Sequence, residues 1–73
     1  MPRKVRVLEA DLLREGAQLT PGKGSHRKFT HPLVPGHVTL SGAAGDDAQP
    51  YQEREVRSFI RRIREARRRQ TQP

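Results

Sequence analysis

The sequence predicts an α+β fold in which two helices cover one face of a three-stranded antiparallel sheet. Apolar residues recur with helical spacing near both ends of the chain, and short segments of alternating polarity lie between them. Glycine or proline separates each segment from the next. The predicted order is helix, strand, strand, strand, helix, which leaves the second face of the sheet open to solvent.

The first helix is predicted over residues 3–15. Its apolar residues follow the spacing of an amphipathic helix, at Val5, Leu8, Leu12 and Leu13. Pro2 precedes the segment and Gly16 follows it, which is the usual asymmetry of helix ends.

Three short strands are predicted next. The first covers residues 17–20 and ends at a turn over residues 21–24, because no regular element crosses Pro-Gly-Lys-Gly. The second covers residues 26–31 with Phe29 directed inward, and the third covers residues 37–40 with Val38 and Leu40 directed inward. The connection between them contains Pro32, Pro35 and Gly36. Alternation then gives the open face a polar and basic set of side chains: His26, Lys28, Thr30, His37 and Thr39.

The last helix is predicted to begin at Pro50 and to carry most of the net charge. Its apolar stripe consists of Val56, Phe59, Ile60 and Ile63. Between residues 54 and 69 eight arginines face two glutamates. The spacing gathers several of them into a second stripe: Arg54, Arg57, Arg61, Arg64 and Arg68. Residues 1–69 are predicted to form one domain, and residues 70–73 a disordered tail.

The composition narrows the possible functions. Lys and Arg number 15 against 8 Asp and Glu, a net charge of +7, which on so short a chain points to a polyanionic partner. The arginine stripe suits a phosphate backbone or an acidic protein, and the sequence alone does not choose between them. The absence of cysteine excludes disulfides, thiolate zinc sites and a cysteine nucleophile. Because no apolar run exceeds two residues, we expect no signal peptide or membrane span, and a cytoplasmic protein.

His26 is the candidate acid or base. The pKa of an unperturbed histidine lies near neutrality, so the side chain can exchange a proton with a ribose 2′-hydroxyl or a leaving 5′-oxygen. Lys23 and Ser25 precede it in a glycine-containing turn that allows close approach of a ligand. This turn lacks the P-loop pattern and leads into a strand, which argues against nucleotide binding. His31 is assigned a structural role, and no metal or cofactor is predicted.

The same residues resemble the HicA family of bacterial and archaeal toxins. The resemblance rests on Gly16, the Lys-Gly-Ser-His run that ends at His26, and the terminal amphipathic helix. Further matching positions are Phe29, His31, Pro32, Val38 and Thr39, and, within one subgroup, residues 45–48, residues 50–53 and Val56. Two positions depart from the common pattern: Ala17, where many members have a large apolar residue, and Arg27, where many have a second histidine.

The resemblance implies a fold like that of double-stranded-RNA-binding domains, ribosome-independent cleavage of mRNA, and neutralisation by a HicB antitoxin. It assigns the active-site histidine to His26. We therefore expect a metal-independent endoribonuclease toxin whose RNA contacts are Lys23, Ser25, Arg27, Lys28, His37, Arg61 and Arg64. Two alternatives are a non-catalytic RNA-binding module of the same fold and a small DNA-binding protein that uses its basic helix.

Overall fold

The computed structural model describes residues 3–21 and 26–71. Its elements are α1 (Val5–Arg14), β1 (Gln18–Pro21), β2 (Arg27–His31), β3 (Val34–Leu40) and α2 (Pro50–Thr71). The strands form one antiparallel sheet in the order β1-β2-β3. The predicted α+β fold and element order are confirmed, and the architecture is consistent with a double-stranded-RNA-binding-domain-like fold. Within the described residues, neither helix combines the length and the apolarity needed to cross a bilayer.

The core lies between the two helices and one face of the sheet. Phe29, Phe59 and Ile63 are fully buried, and they come from β2 and α2. The remaining buried apolar residues are Val5, Leu8, Leu12, Ala17, Val34, Val38, Leu40, Ala48, Val56 and Ala66. Since all of them belong to one cluster, both helices cover the same face of the sheet. Ile60 is only partly buried at the edge of this cluster.

The third strand begins earlier than predicted. It starts at Val34, so Pro35 and Gly36 lie inside β3 rather than in the connection before it. A proline is tolerated there because β3 is an edge strand, where a missing backbone N–H removes no necessary ladder bond. Gly36 has a φ of +86°, and the β2–β3 register shifts between Phe29 and His31. The prediction that β3 begins at residue 37, which was based on the prolines and glycines before it, was therefore wrong.

The end of α1 is closed by a Schellman motif centred on Gly16. Its N–H donates to the Leu13 carbonyl (3.0 Å), and the Ala17 N–H donates to the Leu12 carbonyl (3.0 Å). Gly16 has a φ of +90°, and a Cβ atom there would lie 3.3 Å from His31 Nε2. Glycine is thus favoured both by the backbone conformation and by the close imidazole.

His31 links this turn to the β2–β3 connection. Its Nδ1 accepts a hydrogen bond from the Leu33 N–H (3.1 Å), so Nε2 carries the proton and donates to the Glu15 carbonyl (3.1 Å). Both ring nitrogens are therefore used within the fold. The structural role predicted for His31 is confirmed.

The loop before α2 also supplies hydrogen-bond acceptors to the first turn of α1. The side chain of Lys4 does not cap α1; instead the N–H groups of Val5 and Arg6 donate to the carbonyls of Asp46 (2.9 Å) and Ala44 (3.1 Å). At the start of α2, the Gln52 side chain accepts from the Gln49 N–H (2.8 Å). The loop therefore joins the two helices at their N-terminal ends.

α2 extends further than predicted. It continues to Thr71, whose hydroxyl donates to the Arg68 carbonyl (3.0 Å), so Gln70 and Thr71 are helical rather than part of the tail. Gln72 and Pro73 lie outside the described residues.

Glu15 joins the end of α1 to the second half of α2. Its carboxylate accepts from Arg64 Nη2 (2.6 Å) and Arg67 Nη1 (3.2 Å), and its carbonyl accepts from Arg67 Nη2 (2.9 Å). The side chain of Glu15 is 12% exposed. The hydrogen bond from Arg64, assisted by Arg67, lowers the pKa of Glu15 below its usual value.

We expect Glu15→Gln to lower the melting temperature by a few degrees at neutral pH. Because the pKa of Glu15 is lower in the folded than in the unfolded chain, its ionised form stabilises the fold above the unfolded pKa. This stabilisation disappears as the pH falls through the folded pKa. Thermal melts from pH 7 into the acid range should therefore show the two proteins converging. A difference that persists in acid would contradict a charge-based role.

Candidate functional site

The open face of the sheet is defined here as the face away from both helices. It carries polar side chains from all three strands. These are Gln18 and Thr20 from β1, Lys28 and Thr30 from β2, and His37 and Thr39 from β3. Lys28 and Thr39 are exposed, whereas the neighbouring Phe29 and Val38 are buried on the helix side. The predicted placement of Lys28, Thr30, His37 and Thr39 follows from this alternation.

One row across the open face places a lysine between two threonines. Thr20 pairs with Lys28, and Lys28 pairs with Thr39. Because neighbouring strands lie about 4.8 Å apart, Thr20 and Thr39 flank the backbone of Lys28 on either side. The row therefore offers an ammonium group and two hydroxyls to a phosphate backbone. Thr20 was not among the predicted site residues. Its position depends on the β1–β2 register, for which the sequence gives only a weak signal.

His26 lies near this row, at the N-terminal end of β2. It is exposed and immediately precedes β2. His26 and Lys28 are two residues apart, so their Cα atoms are roughly 7 Å from each other along an extended backbone. This spacing lets both side chains reach one ribose-phosphate unit. Lys23 and Ser25, predicted to lie beside His26, are outside the described residues.

His37, on the open face, is distant from His26. His26 precedes Arg27, whose partner is Leu40, whereas His37 precedes Val38, whose partner is Phe29. Continued at about 3.3 Å per residue, this register separates the two histidines by roughly 13 Å along the sheet. His37 is therefore too distant to share a proton-transfer step with His26.

Arg27 is turned toward the helices rather than the open face. Its Nε lies 2.6 Å from Glu9 Oε2, and its Nη2 donates to the Gly42 carbonyl (2.9 Å). Both side chains are mostly covered, with 25% of Arg27 and 17% of Glu9 exposed. The contacts tie the start of β2 to α1 and to the loop after β3. The Arg27 side chain thus holds the backbone next to His26 in place, and it lies on the opposite face of the sheet from the Lys28 side chain.

The two predicted contact residues on α2 are also separated from the open face. Arg61 and Arg64 line a groove between α1 and α2, and Arg64 is held by Glu15. Phe59 points into the core, and Arg61 lies about 200° further around the helix, so Arg61 points away from the sheet. The structure therefore places Lys28 on one side of the molecule and Arg61 and Arg64 on the opposite side.

The residues described here contain no group of three or more histidine, cysteine or acidic side chains that is arranged to hold a metal ion. The chemical groups at the open face are an imidazole, an ammonium and several hydroxyls. Such a set can bind a phosphate and move a proton.

Comparison with known proteins agrees with the resemblance found in the sequence. The family described as "HicA toxin of bacterial toxin-antitoxin" matches residues 5–67, which include both helices' buried stripes and the whole sheet. Searches of curated proteins and of solved structures found no match. The chain therefore belongs to the HicA family and is the toxin of a toxin–antitoxin system.

Proposed function

We propose that the chain is an endoribonuclease that cleaves mRNA and that His26 moves the proton in the reaction. The observation that carries this proposal is the exposed imidazole beside a lysine-centred polar row, in a member of a toxin family. A histidine in solvent contact is available to a substrate, unlike His31, whose ring nitrogens are both engaged. The proposed substrate class is RNA because its 2′-hydroxyl supplies a nucleophile that DNA lacks.

The proposed reaction needs no metal. RNA lies on the open face, and Lys28 holds a phosphate with Thr20 and Thr39 on either side. The 2′-oxygen attacks the adjacent phosphorus, the bond from phosphorus to the 5′-oxygen breaks, and the products are a cyclic phosphate and a 5′-hydroxyl. The 2′-hydroxyl loses one proton and the leaving 5′-oxygen gains one. His26 accepts the first or donates the second, and a water molecule exchanges the other. Lys23 and Ser25, which precede His26 in the chain, are proposed to contact the RNA, as is His37 on the open face.

The biological context follows from the family. We propose a HicB-type protein as the antitoxin partner and the cytoplasm, where mRNA is available, as the place of action. The formal net charge of +7 supports association with RNA through counterion release.

A non-catalytic RNA-binding module is the second candidate. The Thr20, Lys28 and Thr39 row favours it, because that row binds phosphate whether or not a bond is broken. The distinction between the two candidates rests on cleavage, not on affinity.

The proposed function is tested with three oligomers of one sequence: RNA, 2′-O-methyl RNA and DNA. We expect the purified protein to cut only the RNA, in excess EDTA, and to leave a cyclic or terminal 3′-phosphate. The 2′-O-methyl oligomer should bind but stay intact, because the nucleophile is blocked. Tight binding of RNA without cleavage would instead support the binding module. Equal binding of RNA and DNA, again without cleavage, would support the DNA-binding alternative.

A further inference from the structure

A groove runs between α1 and α2 on the side of the molecule away from the open face. It has a volume of about 470 Å³. Its apolar lining comes from Leu8, Val56 and Ile60, of which Ile60 is the partly exposed member. Arginines form most of its rim: Arg3, Arg57, Arg61, Arg64 and Arg68. The groove therefore combines an apolar strip with a border in which five arginines outnumber three acidic residues.

Three of the rim arginines have no ion-pair partner within residues 3–21 and 26–71: Arg57, Arg61 and Arg68. The other two are engaged, Arg3 with Asp11 (2.7 Å) and Arg64 with Glu15 (2.6 Å). Arg64 thus helps to hold the two helices together, whereas Arg57, Arg61 and Arg68 take part in no ion pair of the described residues. Three such cations beside a partly exposed isoleucine form a surface that an anionic, partly apolar ligand fits.

We propose that this groove docks an acidic amphipathic segment of the antitoxin. Carboxylates of that segment pair with Arg57, Arg61 and Arg68, and an apolar side chain packs against Ile60. The family establishes that an antitoxin exists; the charge and the apolar strip indicate where and how it binds. The proposal is independent of the reaction at His26.

The groove fits a protein segment better than RNA. Asp11, Glu53 and Glu65 share the lining with the arginines. A phosphate backbone carries a charge at every nucleotide and would meet these carboxylates, whereas a peptide can place its acidic side chains beside the arginines and neutral ones elsewhere. An apolar strip also offers nothing to a phosphate, whereas it accepts a leucine or isoleucine side chain. In addition, RNA held in this groove would lie on the opposite side of the molecule from His26.

The test compares two double variants of α2 that carry the same charge change. Arg57→Glu with Arg68→Glu alters the groove. Arg54→Glu with Arg69→Glu is the matched control, since Arg54 lines the separate groove beside β3 and both residues are exposed. Affinity for the cognate antitoxin is measured by isothermal titration calorimetry, together with RNA cleavage and a thermal melt. We expect at least about a tenfold loss of antitoxin affinity in the groove variant, because each reversal places like charges together. The control should lose much less, and both variants should still cleave RNA.

Several outcomes would overturn the proposal. Unchanged antitoxin affinity in the groove variant would do so, and so would equal losses in the two variants, which would show a general effect of net charge. Loss of RNA binding or cleavage in the groove variant alone would assign the groove to RNA. If the groove variant does not melt cooperatively, Arg57→Gln with Arg68→Gln replaces it, and unchanged affinity would again refute the proposal. A wild-type chain that binds antitoxin but cuts no RNA would refute the proposed function and leave this comparison valid.

Discussion

Phe59→Ala is expected to unfold most of the protein. Phe59 is fully buried in the one apolar cluster, and Arg62 stacks over its ring at 5.4 Å from the centroid. Truncating a buried phenylalanine to alanine costs about 3 to 5 kcal/mol through lost burial and the cavity left behind. In a chain of 73 residues a single core rarely supplies more than about 3 to 5 kcal/mol, so this loss is comparable to the whole stability of the domain. Circular dichroism melts and urea titrations measure the loss.

Tyr51→Ala is the matched control for this variant. Tyr51 lies on the same helix but is 48% exposed, so removing its ring should change stability little. Comparing Phe59→Ala with Tyr51→Ala distinguishes the effect of removing a core side chain from the effect of removing an aromatic ring from α2. A cooperative melt with full helical signal in Phe59→Ala would show that α2 does not rely on this face for its packing.

Hydrophobic spacing predicted which elements form and which faces they bury, but not how completely. The α2 stripe shows this well, since Phe59 and Ile63 are buried as expected while Ile60 lies at the edge of the core. On α1, Leu13 matches the helical spacing and yet is 53% exposed. It follows the buried Leu12 by one residue, or about 100° around the helix, which places it outside the covered stripe. Hydrophobic periodicity predicts which face of a helix is buried. The width of the buried stripe depends on the elements that pack against that face.

The sequence predicted the site residues whose positions follow from the alternation of side chains along a strand. It did not predict the residues whose positions depend on ion pairs between distant elements. Strand alternation correctly placed Lys28 and Thr39 on the open face. Nothing local to Arg27 shows that it reaches Glu9 on α1, and nothing local to Arg64 indicates a partner 49 residues away in the chain. The partner in each case becomes a neighbour only after the helices pack. A count of basic residues therefore overestimates those available to a ligand.

His26→Ala is expected to abolish RNA cleavage and growth inhibition while leaving the fold intact. The side chain is exposed, so its removal leaves no cavity in the core. Loss of a general acid or base lowers a rate by about 10² to 10⁴, and His37 is too distant to replace it. RNA affinity should change little, because the Lys28 row remains. Cleavage rates are measured with RNA, and affinity with the uncleavable 2′-O-methyl oligomer.

Two further variants separate proton transfer from the other roles of this position. His26→Gln keeps a side chain that donates and accepts hydrogen bonds but does not titrate, so it should be as inactive as His26→Ala if His26 moves a proton. His37→Ala is the control for removing another exposed histidine, and it should weaken RNA binding slightly while cleavage continues. Activity restored in His26→Gln would assign His26 to substrate positioning. Cleavage at the wild-type rate by His26→Ala, with contaminating nuclease excluded, would falsify the proposed role of His26.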